Sequence, residues 1–191
     1  MSVKTVFQAI RQRQSVFPNL YTEELINEEK IQALLELANT APTHRLTEPW
    51  RFVVFKGKGR EKLSQFMSGE YRKNNPDSTF SEVKFQKRKV KPLQSSHIIA
   101  VIMHRDPQER VPEWEEIAAV SCAVQNMWIG ACAMGLGCYW SSPGEMVGRP
   151  EILELQRNER ALGLFYLGNT TLDQVLPKVR QPIDSKVRYI G

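Results

Sequence analysis

The sequence predicts an α+β fold, close to the α/β class: a mixed central sheet flanked by helices, with an extended C-terminal arm. Three observations point there. His97 to His104 (HIIAVIMH) is an almost unbroken apolar run, which suits a strand covered on both faces in a parallel or mixed sheet. Strand-like and helix-like segments alternate along the chain. A segment from about Trp114 to Met134 is apolar nearly all round, so as a helix it needs burial on almost every side.

The elements follow in order. Val3 to Arg13 reads as a short helix with Val6, Phe7 and Ile10 on one side. Asn27 can cap the next helix, with Glu28 and Glu29 in its positive first turn. Ile31, Leu34, Leu35 and Ala38 then fall at i, i+3, i+4 and i+7, and Pro42 lies beyond its end. Arg51 to Phe55 is rich in β-formers. Gly57-Lys-Gly is a turn, and Arg60 to Met67 a helix with Leu63, Phe66 and Met67 inward. Gly69 to Pro92 carries Asn74-Asn75-Pro76 and a basic run, and is expected as a mobile, partly helical excursion. Gly135-Leu-Gly stops the long helix, and Cys138 to Trp140 resumes a strand. Glu151 to Gln156 is a short helix, Ala161 to Leu167 the last core strand, and Gly168 to Gly191 an extended arm.

At 191 residues the chain is one unit, 1–191, able to bury a core without disulfides or metals. The net charge of +5 and pI near 9.2 suit an anionic ligand such as a phosphate. Three cysteines, Cys122, Cys132 and Cys138, match no metal spacing and read as buried structural thiols in a reducing compartment. Met1 to Ile10 lacks the apolar core of a signal peptide, so a cytoplasmic location is expected. The long apolar run is interrupted by Ser121, Gln125 and Asn126, which argues for a core or interface helix and against a membrane span.

Hydrolytic and metal chemistries find no support. His44, His97 and His104 fall in no HExxH pattern, and no GxSxG or Walker loop occurs. Gly135-Leu-Gly follows a helix and lacks the third glycine of a dinucleotide fingerprint. With no evident acid, base or nucleophile, the pattern favours a bound cofactor that carries the chemistry, and no side chain is assigned a catalytic role. Two cationic groups suit a phosphate: Arg11, Arg13 and Ser15 at the end of the first helix, and Lys178 and Arg180 in the arm. Each also fits an ordinary solvated position. The loop Ala41 to Trp50 before a strand, and Trp140-Ser-Ser-Pro after one, are further candidates.

Taken together, Arg13-Gln-Ser15, Ala41 to Phe52, Ala118 to Gly137, Leu164 to Gly168 and Lys178-Val-Arg180 resemble, in this order, the nitroreductase family of FMN-dependent oxidoreductases. The short length, Val111-Pro-Glu-Trp-Glu and Pro49-Trp-Arg-Phe are most similar to its small single-domain branch. The resemblance implies FMN as cofactor and NAD(P)H as co-substrate, with electrons passed by a ping-pong cycle to a nitroaromatic or quinone. It implies a homodimer with FMN between subunits and an arm that embraces the partner. Nucleic acid and membrane are not expected partners. Residue by residue it implies that Arg13, Gln14 and Ser15 meet the ribityl-phosphate. His44 would approach the flavin, from either subunit, and Trp140, Ser141 and Ser142 would line the ring. Lys178 and Arg180 would clamp the phosphate. Gln14, Glu48 and Ser141 depart from the family's usual residues. The alternatives are a non-catalytic basic module that binds nucleic acid through Lys84 to Lys91 and the arm, or another flavin chemistry, dehalogenation or flavin breakdown, on the same fold.

Overall fold

The computed structural model describes residues 3–172 and 177–191. Helix α1 (Val3–Gln12) precedes α2 (Glu28–Asn39), whose Asn27 side chain accepts from the Glu29 N–H at 2.7 Å as the expected cap. Strand β1 (Trp50–Phe55) leads into α3 (Lys58–Asn74) and α4 (Glu82–Gln94). Then come β2 (His97–His104), α5 (Glu113–Ala133), β3 (Leu136–Ser141) and β4 (Glu159–Asn169).

The α+β class holds, but the four described strands, in order β1-β2-β4-β3, all pair antiparallel instead of forming a mixed sheet. The apolar run of β2 reflects coverage and not strand direction. Its Ile99, Val101 and Met103 face α2 and α5, packing with Leu34, Ala38, Ala123 and Met127. Its Ile98, Ala100 and Ile102 face α3, packing with Leu63, Met67 and Tyr166. Helix α4 lies on α3, where the Ser64 hydroxyl donates to the Lys89 carbonyl at 2.5 Å.

Other expectations need correction. The 69–92 segment is not an irregular excursion: α3 continues to Asn74 and α4 starts at Glu82. Leu63, Met67 and Tyr71, at i, i+4 and i+8, are all buried and carry α3 past Gly69. Phe80 in the connecting turn stacks between Tyr71 and Phe85, with ring centroids 5.8 and 5.7 Å away. The helix expected at Glu151 to Gln156 is a single 3₁₀ turn, Glu151–Leu153, ended by Glu154 in a left-handed conformation.

Helix α5 is not buried on every side. Ala119, Val120, Ala123, Val124, Met127 and Ala131 are buried, whereas Trp114, Ala118, Cys122 and Gln125 form an exposed stripe at helical spacing. Cys122 is thus exposed and Cys132 only half-buried, contrary to the expectation of buried thiols; Cys138 is buried. The apolar side of α1 (Val6, Phe7, Ile10) is also exposed. So are Val179, Ile183, Tyr189 and Ile190 of the arm, where a 3₁₀ turn, Ile183–Lys186, is the regular structure described. No described helix is long and apolar enough to cross a membrane.

Candidate functional site

The first group of residues forms where α1 ends. The chain leaves the helix at Arg13 and runs to the free edge of β3, where the Val16 N–H donates to the Cys138 carbonyl at 2.9 Å. The Trp128 indole N–H, from α5, donates to the Gln14 carbonyl at 3.0 Å and fixes the backbone there. The Arg13 guanidinium lies 4.6 Å from the centroid of the same indole, held by a cation–π contact. Ser15 is exposed beside it.

The arm returns to this point. The Lys178 ammonium donates to the Arg11 carbonyl, across 167 positions of sequence. Partial desolvation, then the neighbouring charges of Arg13 and Arg180, hold Lys178 below the ordinary lysine range. Two cations from distant segments, Arg13 and Lys178, therefore converge, with Arg180 beside Lys178 in the arm. Among the described residues none of the three pairs with a carboxylate, whereas Arg88, Arg105, Arg110 and Arg160 each do. Such a cluster repels itself and favours an anion.

An aromatic wall continues from the cations along the sheet. Trp128 meets Phe165 edge-on at 5.7 Å, and Phe165 pairs in register with Trp140 on the same sheet face. The Trp140 indole N–H is buried without a hydrogen-bond partner. Beside it β4 carries Gly163 at φ 136°, where a Cβ would collide with the Ser141 carbonyl oxygen. This glycine lets the strand end bearing Trp140 lie close on β4. Ser141 alternates to the opposite face, with Tyr139, and Ser142 is exposed. Tyr139 accepts from the Lys91 ammonium at 3.0 Å, and burial pushes its phenol up to about 12.

His44 stands elsewhere. Its loop is kinked by left-handed Arg45, Leu46 and Glu48, and its Nδ1 lies 2.6 Å from Glu115 in the first turn of α5. Thirteen residues separate Glu115 from Trp128, roughly 20 Å of helix at 1.5 Å per residue. Within one chain, then, Arg13, Gln14 and Lys178 come together, Arg180 follows Lys178 in the arm, and Trp140 joins the group through Trp128 and Phe165. His44 does not, and Ser141 faces away. Trp128, which organises the group, was absent from the sequence-derived candidates. An aromatic in an apolar helix reads as core, and its only signal is an indole N–H that needs an acceptor.

Residues 10–169 match the family model described as "Nitroreductase family". The chain belongs to the nitroreductase family. Membership places it among the oxidoreductases. It is 30% identical over 148 residues to "Putative NAD(P)H nitroreductase YdjA" of Escherichia coli (strain K12), covering 75% of this chain and 78% of that one. In structure it is similar to a nitroreductase-like family protein from Bacillus cereus, with TM-score 0.79 and 27% identity, covering 100% of this chain and 98% of the other. It shares its fold with a "putative nitroreductase" from Desulfovibrio desulfuricans solved in complex with FMN, at TM-score 0.73 and 22% identity, covering 97% and 96%.

Proposed function

We propose that this member of the nitroreductase family is a homodimeric FMN enzyme that takes hydride from NAD(P)H and passes electrons to an electron-poor acceptor such as a nitroaromatic or quinone. The approach of Lys178, with Arg180 next to it in the arm, to Arg13, none of the three paired with a carboxylate among the described residues, carries the reading. These residues fit the phosphate of FMN: guanidinium forks match its oxygens, and an anion relieves their mutual repulsion. Ser15 and the Gln14 backbone lie beside them to receive the ribityl chain, and Trp140 offers an apolar wall to the ring. Bound there, FMN supplies a ring system that accepts hydride and releases electrons to a second substrate.

The protein's own contribution is positional and electrostatic. Arg13, Lys178 and Arg180 anchor one end, so the bound group keeps one orientation. Trp128 keeps the Gln14 backbone in place, and Trp140 with Phe165 excludes water from one side of the ring. In the proposed cycle the two substrates use the same face of the ring in turn, the ping-pong order. The wall is incomplete in one chain, because His44 lies on the far end of α5. A second copy packed antiparallel along the exposed α5 stripe brings its own His44 loop toward the first copy's cations. The same packing covers Trp114, Ala118, Cys122, the apolar side of α1 and the arm.

The basic α4 gives the nucleic-acid alternative little support. Its Arg88 pairs with Glu145 at 2.9 Å and Lys91 is committed to Tyr139, facing inward. The deciding experiment is to purify the protein with FMN present, remove free flavin, record the visible spectrum and follow NADH and NADPH oxidation with a quinone. Retained flavin bands and flavin-dependent oxidation are expected. A colourless protein that does not take up added FMN would overturn the reading.

A further inference from the structure

A second cavity, of about 400 Å³, is closed by the 18–25 segment, the first turn of α3 and the end of α4. It shares no lining residue with the cationic group around Arg13, so it stands apart from the proposed flavin site. Its walls are held by main-chain bonds. The Thr22 N–H donates to the Asn169 carbonyl at 2.8 Å, and the Asn169 amide donates to the Glu24 carbonyl at 3.1 Å. The Ile26 N–H donates to the Ser96 hydroxyl at 2.7 Å. Arg60 reaches across to the end of α4, where its Nη1 donates to the Leu93 and Ser95 carbonyls at 3.3 and 2.5 Å.

Two polar groups of these walls are left unmet. The Arg60 Nε and the Thr22 hydroxyl are both buried without a hydrogen-bond partner, and both residues line the cavity. A buried donor without an acceptor is a standing cost, and an arriving acceptor removes it. With Nη1 spent on carbonyls, Arg60 keeps its Nε–Nη2 edge, the fork that matches the two oxygens of a carboxylate. Glu23 and Glu24, both exposed, also line the cavity. Among the described residues neither pairs with a cation, and Arg60 pairs with no carboxylate. A ligand of a single sign is repelled by one part of this lining, whereas a dipolar ion meets both parts with opposite charge. A metal ion is a poor fit, since no described group of three or more His, Cys, Asp or Glu could hold one. Pro18, Leu25 and Leu93 add apolar lining.

We propose that this cavity is a binding site for a free α-amino acid with an aliphatic side chain. Its carboxylate takes the Arg60 fork and the Thr22 hydroxyl, its ammonium faces Glu23 and Glu24, and its side chain rests on Pro18, Leu25 and Leu93. Binding ties the 18–25 segment to α3 and α4 through the ligand, so the occupied protein is the more stable one.

The test is calorimetric titration of the full-length protein with L-leucine, beside L-leucinamide, which has no carboxylate, and N-acetyl-L-leucine, which has no ammonium. Leucine is expected to bind saturably at one site per chain and to raise the melting temperature. Each analogue should bind at least about tenfold more weakly, the loss expected for one charge-assisted contact. Thr22→Val should weaken leucine about fivefold, as for one neutral hydrogen bond, and Arg60→Lys about tenfold. Glu23→Gln/Glu24→Gln should weaken leucine and leave N-acetyl-L-leucine unchanged. Arg60 also holds the end of α4, so a circular dichroism spectrum matching the parent is required of each variant; the analogue series and Thr22→Val decide the matter if Arg60→Lys does not fold. If leucine gives no saturable binding, if leucinamide binds as tightly as leucine, or if Thr22→Val binds leucine like the parent, the cavity holds only water and the proposal is overturned.

Discussion

Arg13→Ala separates the ligand role of the cation cluster from any structural one. In the apo protein Arg13 has a single identified attraction, the cation–π contact with Trp128, worth about 0.5–1 kcal/mol at such a site. Against it stands repulsion from Lys178. The two terms nearly offset, so the apo melting temperature should change by no more than about 2 °C, taking ~2–4 °C per kcal/mol at this chain length. With FMN the arithmetic differs. Losing one charge-assisted contact to phosphate costs about 1.5–3 kcal/mol, or roughly ten- to a hundredfold in affinity. At FMN a hundredfold above the parent's Kd, linkage stabilises the parent by ~2.7 kcal/mol, but the variant by only ~0.4–1.4 kcal/mol. The assay is a pair of thermal melts, with and without FMN, beside a flavin fluorescence titration. Arg13→Lys should fall between, since it keeps the charge and loses the fork. An Arg13→Ala variant that melts far lower without FMN yet binds FMN normally would refute the anchor.

Three further outcomes follow from the same structure. The double variant Lys178→Ala/Arg180→Ala should weaken FMN binding by at least tenfold while sedimentation still shows a dimer; unchanged affinity would remove the arm from the site. Ala118→Glu on the exposed stripe should convert the protein to a folded monomer at micromolar concentration, because a charge would be buried unpaired at the contact; a persisting dimer would place the interface elsewhere. Asp106 accepts from Arg110 Nε at 2.7 Å and from its backbone N–H at 3.1 Å. These bonds, with the Arg110 side chain the largest cause, bring its carboxyl down to about 2. Since the folded value lies below the ordinary 3.8, its stabilisation is fully present above about pH 4 and fades as pH falls through 2. Asp106→Asn should lose that part of the acid transition, and an identical profile for both proteins would contradict it.

The elements legible in the sequence are those whose burial is uniform. HIIAVIMH shows β2 because helices cover both its faces, and Asn27-Glu-Glu shows the start of α2 because one side chain meets one donor. Helices α3 and α4 were obscured by Gly69 and Asn74-Asn75-Pro76, punctuation that the long-range packing of Tyr71 and Phe80 overrides. Strand direction was not legible, since hydropathy records coverage and not polarity. At the site, Arg13, Lys178 and Arg180 could be listed from residue type alone. Their meeting could not, because 165 positions separate Arg13 from Lys178 and the intervening contact is to a main-chain carbonyl of Arg11.

Helix α5 is where the proposed two-chain site departs from what one chain shows. A helix apolar all round states that every side meets something dry, without stating to which body that something belongs. The structure assigns Ala123, Val124 and Met127 to the core and leaves Trp114, Ala118 and Cys122 uncovered. The same helix sets Glu115, and His44 with it, roughly 20 Å from Trp128 and the cations. Both points lie on one continuous helix, so moving α5 as a body leaves that separation unchanged. In the proposed homodimer a second copy would close it and cover the exposed stripe. The assembly and cofactor readings are therefore coupled. A variant that breaks the α5 contact should also lose the ring side of the flavin site, leaving the phosphate anchor of Arg13, Lys178 and Arg180 intact but too weak alone to retain FMN.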